Sequence, residues 1–115
     1  MVQTISRENL KAKMDQGEDF VLVETLSEEQ YRHAHLPGAL NLPPDQVKEL
    51  ASELLPDKEA DIVVYCGSPT RPASEESARE LADMGYKNVR DYAGGKKDWQ
   101  EAGLPTEGES RAAAG

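Results

Sequence analysis

Short apolar runs alternate along the chain with stretches whose apolar residues recur at helical spacing, the pattern of an α/β domain. Phe20-Val21-Leu22-Val23 is a continuous apolar run, and Ile62-Val63-Val64-Tyr65 is uncharged, rich in β-branched residues and bounded by Asp61 and Gly67. Both predict buried strands. Ala39-Leu40-Asn41-Leu42 predicts a brief strand closed by Pro43-Pro44, and Asn88 to Tyr92 a last one. Ser6 predicts an N-cap, with Ile5 and Leu10 as a hydrophobic staple, Met14 continuing that face and Gly17 stopping the helix. Ser27-Glu28-Glu29-Gln30 spells a capping box, stapled by Leu26 and Tyr31, whose helix ends before Pro37. Asp45 predicts the N-cap of a helix that sets Val47, Leu50, Ala51 and Leu54 on one face and stops at Pro56. A further helix runs from Ser74 to Met84, with Ala78, Leu81 and Ala82 inward and Gly85 beyond its end. Gly94-Gly95 turns into a short helix that carries Trp99 and ends at Gly103.

Strands separated by helices imply parallel pairing through right-handed crossovers, with helices on both faces of the sheet. A length of 115 residues fits one domain. It is expected over residues 1–105, because the stretch 106–115 has no apolar periodicity and reads as a disordered tail. The 13 Lys and Arg against 22 Asp and Glu give a net charge of −9, which repels nucleic acid. No apolar run approaches the roughly 18 residues of a membrane span. The first residues lack the apolar stretch of a signal peptide, so the expected location is the cytoplasm. One cysteine with two histidines is a poor start for a metal site, and none is expected.

That cysteine, Cys66, directly follows the strongest strand signal, where open α/β sheets place their ligands. The segment from Cys66 to Ser74 joins this strand to a helix N-terminus. If it curls, its backbone N–H groups and the helix dipole favour an anion there. An ordinary thiol with a pKa near 8.5 is only about 3% ionised at pH 7, so a working nucleophile needs such surroundings. Arg71 adds a permanent charge and a planar fork of donors suited to sulfate-like oxyanions. The inferred chemistry is attack by Cys66 on an anionic substrate held by Arg71 and the amides of Gly67, Ser68 and Thr70. Other candidates have simpler readings: His35, beside Leu36-Pro37-Gly38, as a turn-stabilising hydrogen-bond partner, His33 as a surface residue, and Trp99 as a core residue.

These features in this order resemble the rhodanese-like domain family. The resemblance runs from about Ser6 to Pro105. It is carried by Val21-Leu22-Val23-Glu24, Tyr31, His35-Leu36-Pro37-Gly38-Ala39, Asn41 and Pro43, then Ile62-Val63-Val64-Tyr65-Cys66, Gly85-Tyr86, Val89, Gly94-Gly95, Trp99 and Ala102-Gly103-Leu104-Pro105. The resemblance implies a five-stranded parallel sheet wrapped by helices. It also implies sulfur transfer through a persulfide on Cys66, with thiosulfate or a persulfide as donor and cyanide or another thiol as acceptor. On the same ground no metal or organic cofactor is expected, and the partners are a small anionic sulfur donor and, in a relay, a sulfur-carrying protein.

The chain departs from the family pattern at several positions. Glu24 and Leu26 stand where an Asp and an Arg are common, so a guanidinium is lost. The active loop often reads Cys-x-x-Gly-x-Arg-Ser; here Pro69 and Pro72 replace the Gly and the Ser, and neither has an N–H. The stretch from Cys66 to the helix also looks about two residues longer than usual, counted back from Gly85-Tyr86. Two other functions compete with sulfur transfer. A Cys-based phosphatase or arsenate reductase usually has five residues between Cys and Arg, with His before the Cys; here there are four, and Tyr65 precedes Cys66. The other is a non-catalytic binding module, whose loop only recognises a partner or passes on sulfur made elsewhere; the presence of Cys66 argues against it and the altered loop for it.

Overall fold

The computed structural model describes residues 2–67 and 73–109. Among these, five strands form one sheet: β1 (Gln3–Thr4), β2 (Val21–Glu24), β3 (Leu40–Asn41), β4 (Asp61–Tyr65) and β5 (Asn88–Tyr92). Their order across the sheet is β1-β5-β4-β2-β3, and all four pairings are parallel. The helices are α1 (Arg7–Asp15), α2 (Glu28–His33), α3 (Val47–Leu54), α4 (Ala73–Asp83) and α5 (Gly95–Glu101).

The unbroken apolar runs have a direct cause in the packing. Successive side chains of a strand point to opposite faces, and here both faces are covered. Val23, Ile62 and Val64 join Val47, Ala51, Ala78 and Leu81 in the cluster beneath α3 and α4. Leu22, Val63 and Tyr65 join Leu10, Leu36 and Trp99 in the cluster on the other side. Full burial of one such aliphatic side chain contributes roughly 1.5–3 kcal/mol, so β4, buried from Ile62 to Tyr65, is the strand the core is built around.

The caps follow the sequence closely. Ser6 Oγ accepts from the Asn9 N–H at 3.1 Å, and Ser27 Oγ accepts from the Gln30 N–H at 3.3 Å while donating to Gln30 Oε1 at 3.2 Å. Asp45 is different. It lies inside a 3-10 turn, Pro44–Gln46, that leads directly into α3, and its side chain caps nothing. Pro44 supplies the fixed φ that starts this turn one step earlier than the expected cap. Strand β1 has no apolar alternation to announce it. Both its residues are exposed, and it is held by backbone pairing of Gln3 and Thr4 with Arg90 and Asp91.

Residues 107–109, expected within a disordered tail, are instead tied to the body. His35 and Glu107 exchange both backbone hydrogen bonds, at 2.9 and 2.8 Å, and the Glu109 N–H donates to the Arg32 carbonyl at 2.8 Å. Gly108 permits this: its φ is +119°, and a Cβ there would lie 2.8 Å from the Arg32 carbonyl oxygen. The expected tail beyond Glu109 lies outside the described residues.

Candidate active site

Cys66 leaves the carboxyl end of the central strand β4 and is buried. Three consecutive carbonyls fix the exit of the chain there. Tyr65 O accepts from Thr25 N–H at 2.8 Å and Thr25 Oγ1 at 3.0 Å, Cys66 O from Lys96 N–H at 2.8 Å, and Gly67 O from Lys97 N–H at 2.8 Å. The Gly94-Gly95 turn brings α5 close enough for the last two. Gly95 has a φ of +73°, and Gly94 packs so tightly on Asp98 that a Cβ would lie 2.8 Å from its Oδ2. Asp98 in turn accepts from the Tyr92 hydroxyl at 2.6 Å and from Arg7 at 2.9 Å, which anchors the turn to β5 and α1. Leu26 supports Gly67 from the side: its methyl groups lie 3.9 and 4.0 Å from where a Cβ on Gly67 would be. The apolar residue in place of the family's Arg is thus a packing partner of the loop that begins at Cys66.

Of the site residues expected from sequence, Cys66 and Gly67 are placed at this strand end. Ser68, Thr70 and Arg71 lie outside the described residues, together with Pro69 and Pro72. The described chain resumes at Ala73, the first residue of α4.

A buried polar network lies on the α1/α5 side of the sheet. Glu24, at the end of β2, is fully buried. It accepts from the Tyr65 hydroxyl at 2.7 Å, and Tyr65 accepts the Leu36 N–H at 3.0 Å. Lys96 Nζ reaches Glu24 Oε2 at 3.3 Å and donates to the carbonyls of Ala34 at 2.5 Å and Gln30 at 3.3 Å. Burial pushes the Glu24 carboxyl above its ordinary range, while Tyr65 and Lys96 pull it back down. Burial and the neighbouring Glu24 raise the Tyr65 hydroxyl, which therefore stays a donor. The sequence reading did not find Lys96. Its signal is weak but real: a Glu ending a buried strand demands a cation, and Lys96 follows the only Gly-Gly turn in the chain.

Asp91 is likewise announced by the sequence only as a strand residue. It is buried on β5, with Ser74 of the first turn of α4 hydrogen-bonded to it and Oδ1 without a partner among the described residues. Burial raises its carboxyl above the ordinary range, opposed by Ser74. The remaining candidates fall where the simpler readings put them. His35 Nδ1 bonds to the Tyr31 carbonyl at 2.8 Å and its ring stacks on Tyr31; His33 is exposed; Trp99 is buried and donates to the Pro105 carbonyl at 2.7 Å.

Thr25, Leu26, Asn41, Pro43 and Ala73, beyond the carboxyl ends of β2 and β3 and at the start of α4, line a cleft of about 750 Å3. Two of its lining residues are Leu26, which lies beside Gly67, and Ala73, where the described chain resumes. Among the described residues, no group of three or more His, Cys, Asp or Glu side chains is placed to hold a metal ion, and no helix is long and apolar enough to cross a membrane.

Residues 6–102 match the rhodanese-like domain family. The chain belongs to that family. It is 33% identical over 98 residues to a putative sulfur carrier protein, YrkF, of Bacillus subtilis, covering 85% of this chain and 51% of that protein. It is 32% identical over 105 residues to a sulfurtransferase of Allochromatium vinosum, covering 91% and 94%. The structure of the BH2092 protein of Bacillus halodurans superposes with a TM-score of 0.89 at 25% identity, covering 98% of this chain and 82% of that one. The chain thus spans about half the length of YrkF and nearly all of the Allochromatium protein. As a rhodanese-like domain it has the five-stranded parallel sheet of its structural neighbours.

Proposed function

We propose that this rhodanese-like domain is a sulfurtransferase in which Cys66 carries the sulfur. The observation that carries the reading is the position of Cys66: the sole cysteine, at the carboxyl end of the central parallel strand, its carbonyl held by α5, with a cleft lined by Leu26 and Ala73 nearby. The Allochromatium sulfurtransferase, alike over nearly its full length, supports the same reading.

In the first step the Cys66 thiolate attacks the outer sulfur of thiosulfate. The new bond joins Sγ to that sulfur, the old S–S bond breaks, and its electron pair leaves with sulfite. Cys66 is then a persulfide. In the second step cyanide or a thiolate attacks the outer sulfur, the Sγ–S bond breaks, and the pair returns to Cys66 as thiolate. A small or protein persulfide can replace thiosulfate as donor, its own thiolate leaving in place of sulfite. Arg71 and the amides of Gly67, Ser68 and Thr70 hold the anionic donor. The reaction needs no metal or organic cofactor, and it suits a thiol-rich compartment such as the cytoplasm, with a sulfur-carrying protein as relay partner.

Intact mass after incubation with thiosulfate tests this. One added sulfur on the wild-type chain, released by cyanide as thiocyanate and absent in folded Cys66→Ser, is the expected result. Thiocyanate formation by folded Cys66→Ser overturns the reading.

A further inference from the structure

The cleft lined by Leu26 and Ala73 has an uneven chemistry. Its walls are apolar at Leu26, Pro43, Leu50 and Leu54, and among the described residues its charged lining is Glu28, Asp45 and Glu53. Among the described residues, no Lys or Arg lines it. The three carboxylates come from different elements: Glu28 from the first turn of α2, Asp45 from the 3-10 turn and Glu53 from α3. All three are exposed, and none is in an ion pair with a described residue. Their charge is thus available to a bound molecule. A volume of about 750 Å3 exceeds what thiosulfate or cyanide fills and lies within the range that takes a short peptide segment or a drug-sized ligand.

We propose that the cleft selects the sulfur acceptor, and that the acceptor is a cysteine in a short peptide segment flanked by Lys or Arg. This rests on the reading of Cys66 as the sulfur carrier. The apolar wall takes the stems of the basic side chains, whose heads meet Glu28, Asp45 and Glu53. The acceptor thiolate attacks the outer sulfur of the Cys66 persulfide. A sulfur–sulfur bond forms on the acceptor, the Sγ–S bond breaks, and its electron pair returns to Cys66. An acidic peptide is repelled by the same three groups. Each carboxylate about 8 Å from a cation in water-like surroundings gives roughly a twofold preference, so three together give roughly five- to tenfold.

The test uses the full chain loaded with thiosulfate and freed of excess donor, its added sulfur confirmed by intact mass. Discharge is then followed in single turnover with three blocked tripeptides, Lys-Cys-Lys, Ser-Cys-Ser and Glu-Cys-Glu. The expected result is that the basic peptide accepts sulfur faster than the acidic one. The basic-to-acidic rate ratio contains that factor twice, once for attraction and once for repulsion, and should fall roughly 25- to 100-fold in the triple variant Glu28→Gln, Asp45→Asn, Glu53→Gln. Comparing ratios cancels the intrinsic reactivities of the three thiols. A second measurement needs no variant. Raising salt from about 20 mM to about 500 mM shortens the screening length from roughly 20 Å to roughly 4 Å, and the wild-type ratio should collapse towards its value in the triple variant. A ratio that is the same in the wild type and the folded triple variant, or that ignores salt, overturns the assignment of the cleft and leaves Cys66 as the carrier. Failure of thiosulfate and of a small persulfide alike to load the chain overturns both.

Discussion

The backbone N–H of Lys96 donates to the carbonyl of Cys66 at 2.8 Å, so the residue that holds the end of β4 is also the one whose ammonium meets the buried Glu24. The side chain and main chain of Lys96 thereby couple a charge pair to the geometry of the strand exit. Lys96→Met keeps the backbone donor and most of the aliphatic stem but leaves Glu24 without its cation. Removing one partner of a buried pair costs about 3–5 kcal/mol, and denaturant unfolding at pH 7 should show a loss of that order. Burial already raises the Glu24 carboxyl, and a group raised in the folded state favours folding below its unfolded value and loses that contribution as pH rises. The deficit of Lys96→Met should therefore shrink as pH falls through the carboxylate range, and Glu24→Gln added to it should recover most of the loss. A deficit that stays constant with pH would mean that the loss is packing alone.

That pair shows where reading the chain stops. The caps at Ser6 and Ser27, the buried run Ile62 to Tyr65 and the last strand, Asn88 to Tyr92, are local signals, and the fold follows them. Lys96 and Glu24 are 72 positions apart, and nothing local says that an ammonium after Gly-Gly will reach a carboxylate at the end of β2. Strand β1 is illegible for a different reason. Its two residues are exposed and polar, and pairing at the sheet edge overrides their pattern. The cleft has no local signature at all, because it is assembled from α2, the turn before α3, α3 itself and the start of α4.

Asp91 gives a second pH-dependent expectation. Its carboxyl is buried, one oxygen lacks a partner among the described residues, and burial raises its pKa in the fold. The ionised group therefore opposes folding at neutral pH, and that opposition fades as pH falls through the folded value towards the ordinary range of an Asp. Asp91→Asn removes the charge while keeping an acceptor for Ser74. It should stabilise the protein by about 1 kcal/mol at pH 7, the lower end of the cost of an unpaired charged group, and by nothing below about pH 4. Thermal melts of both proteins across this range decide it; a variant less stable at pH 7 would show that Asp91 is better satisfied than its burial implies.

The contact of residues 107–109 with the body can be tested at Gly108. Its φ of +119° and the nearby Arg32 carbonyl leave no room for a Cβ. Gly108→Ala must strain the segment or release it, at a cost of about 1–3 kcal/mol. Hydrogen exchange distinguishes the two. Release should expose the amides of His35, Glu107 and Glu109 while those of β4 stay protected. Unchanged protection at all three, with unchanged stability, would show that the contact of residues 107–109 with the body does not depend on Gly108.

The loop between Gly67 and Ala73 is proposed to set the donor. Arg71 is proposed to hold the anionic part of the donor, and a charge-assisted hydrogen bond is worth roughly 1.5–3 kcal/mol, so Arg71→Ala should lower kcat/KM for thiosulfate roughly 10- to 150-fold with little change in Tm. Pro69 and Pro72 remove two possible N–H donors from the same loop, each worth roughly 1 kcal/mol net, which weakens the hold on a small trianionic transition state. A persulfide donor brings no sulfonate group to the loop, so its reaction leans less on the N–H donors that the two prolines remove. We therefore expect glutathione persulfide to load Cys66 more efficiently than thiosulfate, with Arg71→Ala costing the persulfide reaction less than the thiosulfate reaction. Aryl phosphate should not be hydrolysed. Loading rates measured by intact mass for both donors, with phosphate release as a control, separate the outcomes. Faster loading from thiosulfate would keep Cys66 as the carrier and refute this role for the two prolines. Phosphate release that depends on Cys66 and outpaces sulfur transfer would replace the sulfurtransferase with an oxyanion hydrolase.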